Sequence, residues 1–354
     1  MLTEEKNSAT SVWFAGPRIV DLRQEVVPQP GEGEVTVDAV ASLISRGTEM
    51  LAYRGELQPD MDLGLPTTAG SATFPIKYGY QVVGRVVAAG PGSGFGNGDL
   101  AFTRHPHQTR FTMGVQNGMV RRIPDDVSVA DAVFINLAEV ALGCLHDVPI
   151  RHGDTVVVFG LAVVGTIACL LAQQAAGPGR VFGVDPIDGR RRLAASLGVE
   201  CAVSPDEVED VVFAQSDSRG ADVVVEVTGN PAVIQNAIAV CGREGTIAIV
   251  SFYGARAAQL QFNDRFHFLR QRIVSCQVGR VGSGLEPRWD RSRRFETSAR
   301  LCQQFGVSRM LTHESTIDNA AAAYAFLDEH PNDVTALAFN YGDSPLTAAT
   351  HQVQ

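Results

Sequence analysis

From Asp154 onward, short apolar segments alternate with segments whose apolar residues recur at helical spacing. The apolar segments are nearly continuous in Val, Ile and Phe, which is typical of strands covered on both faces. They are TVVVFG, RVFGVD, ADVVVEVTG and GTIAIVSF, followed by the further strand signal IVSCQVG. The segments GRRRLAASLG and NPAVIQNAIAVCG lie between them and are predicted to be helices. Because strand and helix alternate, the sequence predicts the α/β class with a doubly wound parallel sheet.

The first 125 residues have a different pattern, in which turns rich in Gly and Pro separate short strands. The turn signals PQPGEGE and AAGPGSGFGNGD flank the alternating strands EVTVDAVA and QVVGRVVAAG. This pattern predicts a compact antiparallel or barrel-like domain. Because 354 residues are too many for one ordinary core, two domains are expected.

The segments after Gly279 include the alanine-rich helix candidate DNAAAAYAFLDEH, and they are predicted to rejoin the first domain. The predicted domains are therefore residues 1–126 together with 281–354, and the parallel-sheet domain at residues 127–280. The polar tail from Gly342 is predicted to be solvated and disordered.

The charge balance and the amino-terminal sequence exclude several classes of partner. With 29 basic and 39 acidic side chains the net charge is −10, and such a protein repels a polyphosphate backbone, so no nucleic-acid partner is expected. A secretory signal has a basic start followed by an apolar core, and the first residues have neither. The uncharged stretch 155–176 is interrupted by Gly160 and Gly165, so it is interpreted as strand, turn and helix rather than a membrane span. A cytoplasmic protein without a membrane partner is expected.

The segment Gly160-Leu-Ala-Val-Val-Gly165 follows a predicted strand and opens a predicted helix. At such a turn, backbone N–H groups and the helix dipole face the pyrophosphate of a dinucleotide, and glycine leaves room for it. Ala162 replaces the usual middle glycine. The alternative is that the glycines only allow close packing of strand against helix. The predicted cofactor-binding residues of this turn are Gly160, Ala162, Val163, Val164 and Gly165.

Asp185 ends the next predicted strand, twenty residues after Gly165, where a carboxylate can accept hydrogen bonds from a ribose diol. Its charge would repel a 2′-phosphate and favours NAD. NADP remains an alternative cofactor because of the arginines at 190–192, since Arg is the usual partner of that phosphate. Arg190 is therefore a predicted cofactor-binding residue. Later strands end at the same ligand edge of the sheet, which adds Thr228, Gly229, Ser251 and Phe252.

Together with EVVPQPGEGEVTVDAVASLISRGTE, PIKYGYQVVGRVVAAG and GNGDLAF, these segments resemble the medium-chain dehydrogenase/reductase family from about Arg18 to Phe339. The resemblance implies a GroES-like β-barrel domain that precedes and follows a Rossmann domain. It also implies NAD or NADP as cofactor, a small-molecule substrate bound near the nicotinamide, and a homodimer.

Zinc-dependent members of this family carry a catalytic Cys in Cys-Gly-Thr-Asp, a His in Gly-His-Glu, and a third Cys or Glu near the domain junction. Here the first two motifs are Arg46-Gly47-Thr48-Glu49 and Gly79-Tyr80-Gln81, and only Glu139 keeps a ligand type. No Cys precedes Cys144, so the four-cysteine structural lobe is also missing. Because catalytic zinc ordinarily has three protein ligands, the sequence predicts no zinc. The combination of SRGTE, KYGYQVVGR, HPHQTRF, SCQVG and PRWDRSRR resembles a bacterial zinc-lacking subgroup of the family.

Without zinc, another group must stabilise the developing alkoxide and supply a proton. We expect Arg46 and Glu139 to fill the vacant position as an ion pair. Tyr80, with Thr48 as a hydroxyl relay, would then hydrogen-bond the substrate oxygen, and a neighbouring cation would lower the pKa of its phenol. The alternative is that Tyr80 and Arg46 only fill the former metal cavity.

Two further groups of residues have competing interpretations. His105 and His107 are two apart and would share one face of a strand, but without a third ligand nearby in sequence a hydrogen-bonded role is favoured over metal binding. A group of arginines after Gly279 would suit a substrate carboxylate or phosphate, although a solvated helix face is the simpler interpretation. These arginines are Arg280, Arg288, Arg291, Arg293 and Arg294.

The sequence therefore predicts a zinc-independent, NAD(P)-dependent enzyme that transfers hydride between the nicotinamide and an alcohol/ketone pair. One alternative is an enoyl- or quinone-type reductase of an activated C=C bond, which needs only a polarised carbonyl. A second alternative is a nucleotide-binding protein without turnover.

Overall fold

The chain forms two compact units in the computed structural model, which describes residues 8–59, 61, 67–69, 72–262, 264–282 and 284–353. Unit 1 is Met1–Ile135 with Ser308–Gln354, and unit 2 is Asn136–Val307. These units join after Ile135 and Val307. The domain boundaries after residues 126 and 280 stay a prediction from the sequence.

The elements are numbered in chain order. The strands are β1 (Ser8–Gly16), β2 (Ile19–Val26), β3 (Glu34–Leu43), β4 (Val82–Ala89), β5 (Leu100–Thr103), β6 (Arg110–Gly114), β7 (Val120–Arg122), β8 (Val156–Phe159), β9 (Val181–Val184), β10 (Cys201–Val203), β11 (Ala221–Glu226), β12 (Cys241–Ile249), β13 (Arg272–Ser275), β14 (His313–Ser315), β15 (Leu337–Asn340) and β16 (His351–Gln352). The helices are α1 (Thr48–Arg54), α2 (Val129–Ala132), α3 (Ile135–Asp147), α4 (Val163–Ala176), α5 (Asp188–Leu197), α6 (Val208–Gln215), α7 (Val233–Val240), α8 (Asp264–Phe268), α9 (Arg291–Phe305) and α10 (Ala320–Glu329).

Unit 1 is built on two sheets. β1 and β2 form an antiparallel hairpin, and a larger sheet has the order β16-β14-β15-β3-β4-β5-β7, with β6 also paired to β3. β15 pairs antiparallel with β3, so the closing segments rejoin the first domain as predicted. Phe14, Tyr324 and Phe339 are fully buried in a shared core, and the Phe14 and Tyr324 rings meet edge to face with centroids 5.0 Å apart.

The C-terminal segment is held by one buried carboxylate. Glu314 on β14 accepts hydrogen bonds from the Leu346 N–H at 3.1 Å, the Thr350 hydroxyl at 2.9 Å and the Gln352 amide at 2.6 Å. β16 also pairs with β14. The predicted disorder from Gly342 is therefore wrong up to residue 353, because three groups of this segment bind a buried carboxylate. Most of its residues are exposed, as the predicted solvation requires.

Unit 2 contains one parallel sheet of six strands in the order β10-β9-β8-β11-β12-β13. All four residues of β8 and of β9 are buried, as their continuous apolar sequences predict. The α/β class, the doubly wound parallel sheet and a separate sheet domain are thus confirmed. The uncharged stretch 155–176 is β8 and α4, as predicted, and no helix within the described ranges is long and apolar enough to cross a membrane.

Candidate functional site

The parallel sheet of unit 2 has a point where its strand order reverses. From β8 the chain continues through β9 to β10 on one side, and then resumes at β11 on the other side of β8. Ligands of open parallel sheets bind at the carboxyl ends of the strands at such a switch point. The predicted cofactor turn directly follows β8, so it lies at this place.

The geometry of that turn requires glycine at two positions. Gly160 has φ +102°, and a Cβ on Gly165 would lie 1.7 Å from the carbonyl oxygen of Gly160. α4 then starts at Val163, and its N-cap residue Ala162 provides no side-chain hydrogen bond to the helix. The five predicted turn residues are thus brought together, and the close strand-to-helix packing that was the alternative explanation is also present.

Asp185 links this turn to the end of β9. Its side chain is buried, with Oδ2 accepting from the Leu161 N–H and Oδ1 from the Ile187 N–H, each at 2.9 Å. Arg190 lies beside it, with Nη1 3.7 Å from Oδ2, and Arg191 donates to the Asp185 carbonyl at 2.7 Å. The arginines after β9 therefore pack around the acidic residue.

The predicted residues after β11 and β12 are brought together in part. The Gly229 N–H donates to the Ser251 hydroxyl oxygen at 2.9 Å, which joins the two strand ends. Thr228 precedes this contact, and Phe252 is 40% exposed, which is unusual for so large an apolar side chain.

A buried carboxylate that is not among the predicted residues supports the same edge. Glu226, the last residue of β11, is 0% exposed and accepts hydrogen bonds from the Thr228 N–H at 2.8 Å and from the Tyr253 hydroxyl. Burial, and then the bond to Glu226, raises the pKa of Tyr253. The sequence signal for it is a charged residue that directly follows the three valines of β11.

In unit 1, Tyr80 and the start of α1 form a polar cluster. The Tyr80 hydroxyl donates to the Ser45 hydroxyl oxygen at 2.7 Å, and Thr48 opens the same helix. Ser45 was not predicted, and the relay from Tyr80 through Thr48 stays a prediction.

The electrostatics of Tyr80 differ from the expectation. Burial, followed by the carboxylate of Glu49, raises the pKa of Tyr80 to about 12, against the opposing hydrogen bonds of Ser45 and Thr48. The predicted lowering of this pKa by a cation is therefore wrong, because the charged group that acts on the phenol is an anion. Tyr80 stays protonated at neutral pH.

Glu49 and His107 form a buried pair next to this cluster. Both side chains are 0% exposed, and His107 Nε2 lies 2.9 Å from Glu49 Oε2. The hydroxyl of Tyr324 donates to the same oxygen at 3.0 Å. His107 thus has a hydrogen-bonded role, as favoured over metal binding, but Glu49 was not predicted as part of the site although it follows Thr48.

His105 lies apart from that pair. Its ring stacks on Phe111, with centroids 3.8 Å apart, and its Nδ1 lies 2.8 Å from the carbonyl oxygen of Pro106. Burial, and then the charge of Lys77, lowers the pKa of His105 to about 3. The two histidines therefore do not act on one common ligand.

The charged residues at the remaining zinc-ligand positions have partners in their own units. Arg46 in unit 1 donates to the carbonyl oxygens of Val334 and Pro331. Glu139 in unit 2 forms a buried ion pair with Arg294, whose Nε lies 3.3 Å from Oε1. The predicted pairing of Arg46 with Glu139 would join the two units and remains a prediction.

The arginines after Gly279 were interpreted as a solvated helix face, but Arg294 is buried. It is 1% exposed, and it also donates to the carbonyl oxygens of Arg280 at 3.1 Å and Val278 at 2.5 Å. The exposed Arg293 on the same helix stacks over Trp289, 4.2 Å from the ring centroid. Only one arginine of the cluster is therefore assigned to the core.

The side chains at the family's zinc positions do not fit a zinc ion. A guanidinium cannot be a ligand, a protonated phenol is a poor one, and Glu139 is already neutralised by Arg294. Within the described part of the chain, no group of three or more His, Cys, Asp or Glu residues is arranged to hold a metal.

Comparison with known proteins identifies the family. The sequence profile described as "Zinc-binding dehydrogenase" matches residues 163–295. D-guloside 3-dehydrogenase of Shigella flexneri is 31% identical over 290 residues, covering 79% of this chain and 81% of the relative. (R,R)-butanediol dehydrogenase of Bacillus subtilis is 27% identical over 242 residues, covering 60% of this chain and 68% of the relative.

A solved structure shows the same fold. An oxidoreductase/dehydrogenase of unknown specificity from Escherichia coli superposes with a TM-score of 0.78 at 16% identity, over 95% of this chain and 100% of that one. The matched profile and the relative at 31% identity agree with the parallel sheet and with the glycine turn at its switch point. The chain therefore belongs to the medium-chain dehydrogenase/reductase family.

Proposed function

We propose that the protein is an NAD(P)-dependent oxidoreductase that interconverts an alcohol and its ketone without a zinc ion. Family membership and the printed names of the relatives, which are dehydrogenases of a guloside and of butanediol, support the reaction class. The observation that carries the proposal is the Tyr80 hydroxyl, which is held by Ser45 at the motif where zinc-dependent members have a histidine ligand.

The residues of unit 2 fit a dinucleotide. The turn from Gly160 to Gly165 would accept the pyrophosphate, because a Cβ is excluded there and the first turn of α4 has no side-chain cap. Asp185 uses two of its about four lone-pair sites on backbone N–H groups and can accept a ribose hydroxyl with the others. Its charge opposes a 2′-phosphate, which favours NAD, while Arg190 at its side keeps NADP binding open.

The proton chemistry is assigned to unit 1. The nicotinamide supplies hydride exchange when it is bound. Tyr80 stays protonated. When substrate binds, the phenol would turn its single O–H from Ser45 to the substrate oxygen, and the Ser45 hydroxyl would donate to the phenol oxygen instead. The phenol then stabilises the alkoxide charge and supplies the proton for ketone reduction. A phenol is a stronger acid than an aliphatic alcohol even with the raised pKa, so this proton transfer is downhill. Thr48 would relay protons through its hydroxyl.

The same side chains support the proposed zinc independence. Arg46 replaces the cysteine ligand, and Glu139 is neutralised by Arg294. We propose that fixed charge and hydrogen bonds replace the metal at this position. A small-molecule substrate, a homodimer and a cytoplasmic location stay predictions from the sequence.

The decisive variant is Tyr80→Phe, which removes only the hydroxyl. We expect kcat to fall about a hundredfold or more, as for loss of a general acid, with an unchanged dissociation constant for NADH or NADPH measured by fluorescence. The substrates are a panel of methyl D-guloside, 2,3-butanediol and simple secondary alcohols with NAD⁺ and NADP⁺. Unchanged turnover would remove Tyr80 from the mechanism.

Three measurements on the unmodified protein separate the alternatives. Isothermal titration calorimetry with NADH and NADPH tests cofactor binding, and binding of neither would overturn the assignment. Oxidation of either cofactor by enones but not by ketones would indicate C=C reduction, and binding without any oxidation would indicate a protein without turnover. Stoichiometric zinc in an elemental analysis, lost together with activity on chelation, would contradict the metal-free site.

A further inference from the structure

The start of α1 is held by a side chain that reaches back over it. The N-cap residue Gly47 has no side chain, and the helix has no side-chain cap. Instead, Glu49 Oε1 accepts a hydrogen bond from the Ser45 N–H at 2.9 Å. The Ser45 hydroxyl oxygen is the acceptor for Tyr80, so the position of Glu49 determines where the phenol is anchored.

The other oxygen of Glu49 is fixed from the interior of unit 1. Glu49 Oε2 lies 2.9 Å from His107 Nε2 and accepts from the Tyr324 hydroxyl at 3.0 Å. On its far side, His107 Nδ1 lies 2.7 Å from the Ser42 hydroxyl oxygen, which in turn lies 2.8 Å from the Tyr341 hydroxyl. All polar atoms of the His107 ring are therefore engaged.

These contacts form one continuous chain from the interior to the phenol. Its members are His107, Glu49, Ser45 and Tyr80, and the three contacts between them are 2.9, 2.9 and 2.7 Å long. Glu49 and His107 are 0% exposed and Ser45 is 5% exposed, so water does not compete for these bonds. A buried, fully hydrogen-bonded network of this kind is rigid.

We propose that Glu49 and His107 are positioning residues, which hold the Ser45 backbone and through it place the Tyr80 hydroxyl for proton transfer. The inference rests on the proposed role of Tyr80. It adds two residues that lie behind the phenol and never touch the substrate. Catalytic efficiency depends on such placement, since a shift of about 1 Å can cost about a hundredfold in rate.

The test is a double-mutant cycle between His107 and Tyr80. His107→Leu breaks the chain, and His107→Gln keeps a donor for Glu49 and an acceptor for Ser42. We expect His107→Leu to lower kcat about tenfold or more, with KM and NADH affinity nearly unchanged. His107→Gln should keep most of the kcat of the unmodified protein. In a Tyr80→Phe background, His107→Leu should lower kcat by less than about a further twofold, because the effect of His107 on kcat passes through the hydroxyl that this background lacks.

A readout that needs no substrate accompanies the cycle. In protein labelled with 3-fluorotyrosine, the Tyr80 ¹⁹F resonance is assigned by its loss in Tyr80→Phe. We expect it to shift in His107→Leu and in Tyr324→Phe, which removes a single donor to Glu49. The matched control is His105→Gln, a buried histidine two residues away that stacks on Phe111 instead; it should change neither kcat nor the Tyr80 resonance.

The outcomes are separable. If the Tyr80 resonance is unchanged in both His107→Leu and Tyr324→Phe, or if the losses from His107→Leu and Tyr80→Phe multiply, the positioning role is wrong. If Tyr80→Phe retains full turnover, the proposed function fails, while the ¹⁹F comparison still decides whether Glu49 and His107 position the phenol.

Discussion

At the scale of single residues, the least predictable feature is the partner of Glu139. The sequence indicates that this carboxylate needs a cation, but Arg294 lies 155 positions away and is one of several arginines in its segment. Charge runs are usually solvated, so the pattern hides the one buried member. By contrast, Gly160, Gly165 and Asp185 were identifiable because turn geometry and spacing along the chain fix them locally.

Breaking this pair should be costly. Arg294→Met removes the guanidinium that faces the buried carboxylate of Glu139, and we expect the free energy of unfolding to fall by about 3–5 kcal/mol in urea titrations. The combined change of Arg294→Met and Glu139→Met should recover much of that loss.

The matched control for this pair is Arg293→Met, on the same helix but exposed over Trp289, where a cation–π contact contributes about 0.5–1 kcal/mol. Equal losses for the two arginine variants would show that the pair with Glu139 has no special role.

At the scale of elements, the buried parallel strands were predictable and the short or partly exposed ones were not. β8 and β9 have continuous apolar sequences because both of their faces are covered. β10 has three residues, all only partly buried, so its sequence carries no such signal. β16 is two exposed residues, whose pairing depends on Glu314 and its hydrogen bonds rather than on local propensity.

The C-terminal segment should therefore contribute to stability. Truncation before Gly342 removes the Leu346, Thr350 and Gln352 donors from buried Glu314. Since hydrogen bonds to charged groups contribute about 1.5–3 kcal/mol each, we expect the free energy of unfolding to fall by about 3 kcal/mol or more. Chemical denaturation measures this loss. Asp343→Ala, an exposed change in the same segment, is the control, and a truncated chain as stable as the full one would contradict the role of Glu314.

At the scale of the whole molecule, stability should depend on pH through a buried neutral histidine. The pKa of His105 is about 3 in the folded chain, against about 6.5 for an unperturbed side chain. Below pH 6.5 the unfolded chain binds a proton that the folded chain does not, so stability falls as pH decreases from about 6.5 towards 3.

The change from pH 6.5 to 5 should cost about 1.6 kcal/mol, because one unit of pKa corresponds to 1.36 kcal/mol and the unfolded histidine is already half protonated at pH 6.5. We expect His105→Asn to flatten this dependence, measured as the free energy of unfolding at the two pH values. A variant with the same slope as the unmodified protein would assign the acid sensitivity to other groups.

The order of the strands in unit 1 sets a constraint on how the protein is made. Residues Ala41–Leu43 of β3 pair with β15, which the ribosome synthesises almost 300 residues later, after all of unit 2. A nascent chain can therefore complete its parallel sheet while the edge of β3 is still open, and open edges invite wrong pairing. Shortened translation products that end before β15 should accordingly be substrates for chaperones and proteases, since the amino-terminal half cannot finish its own sheet.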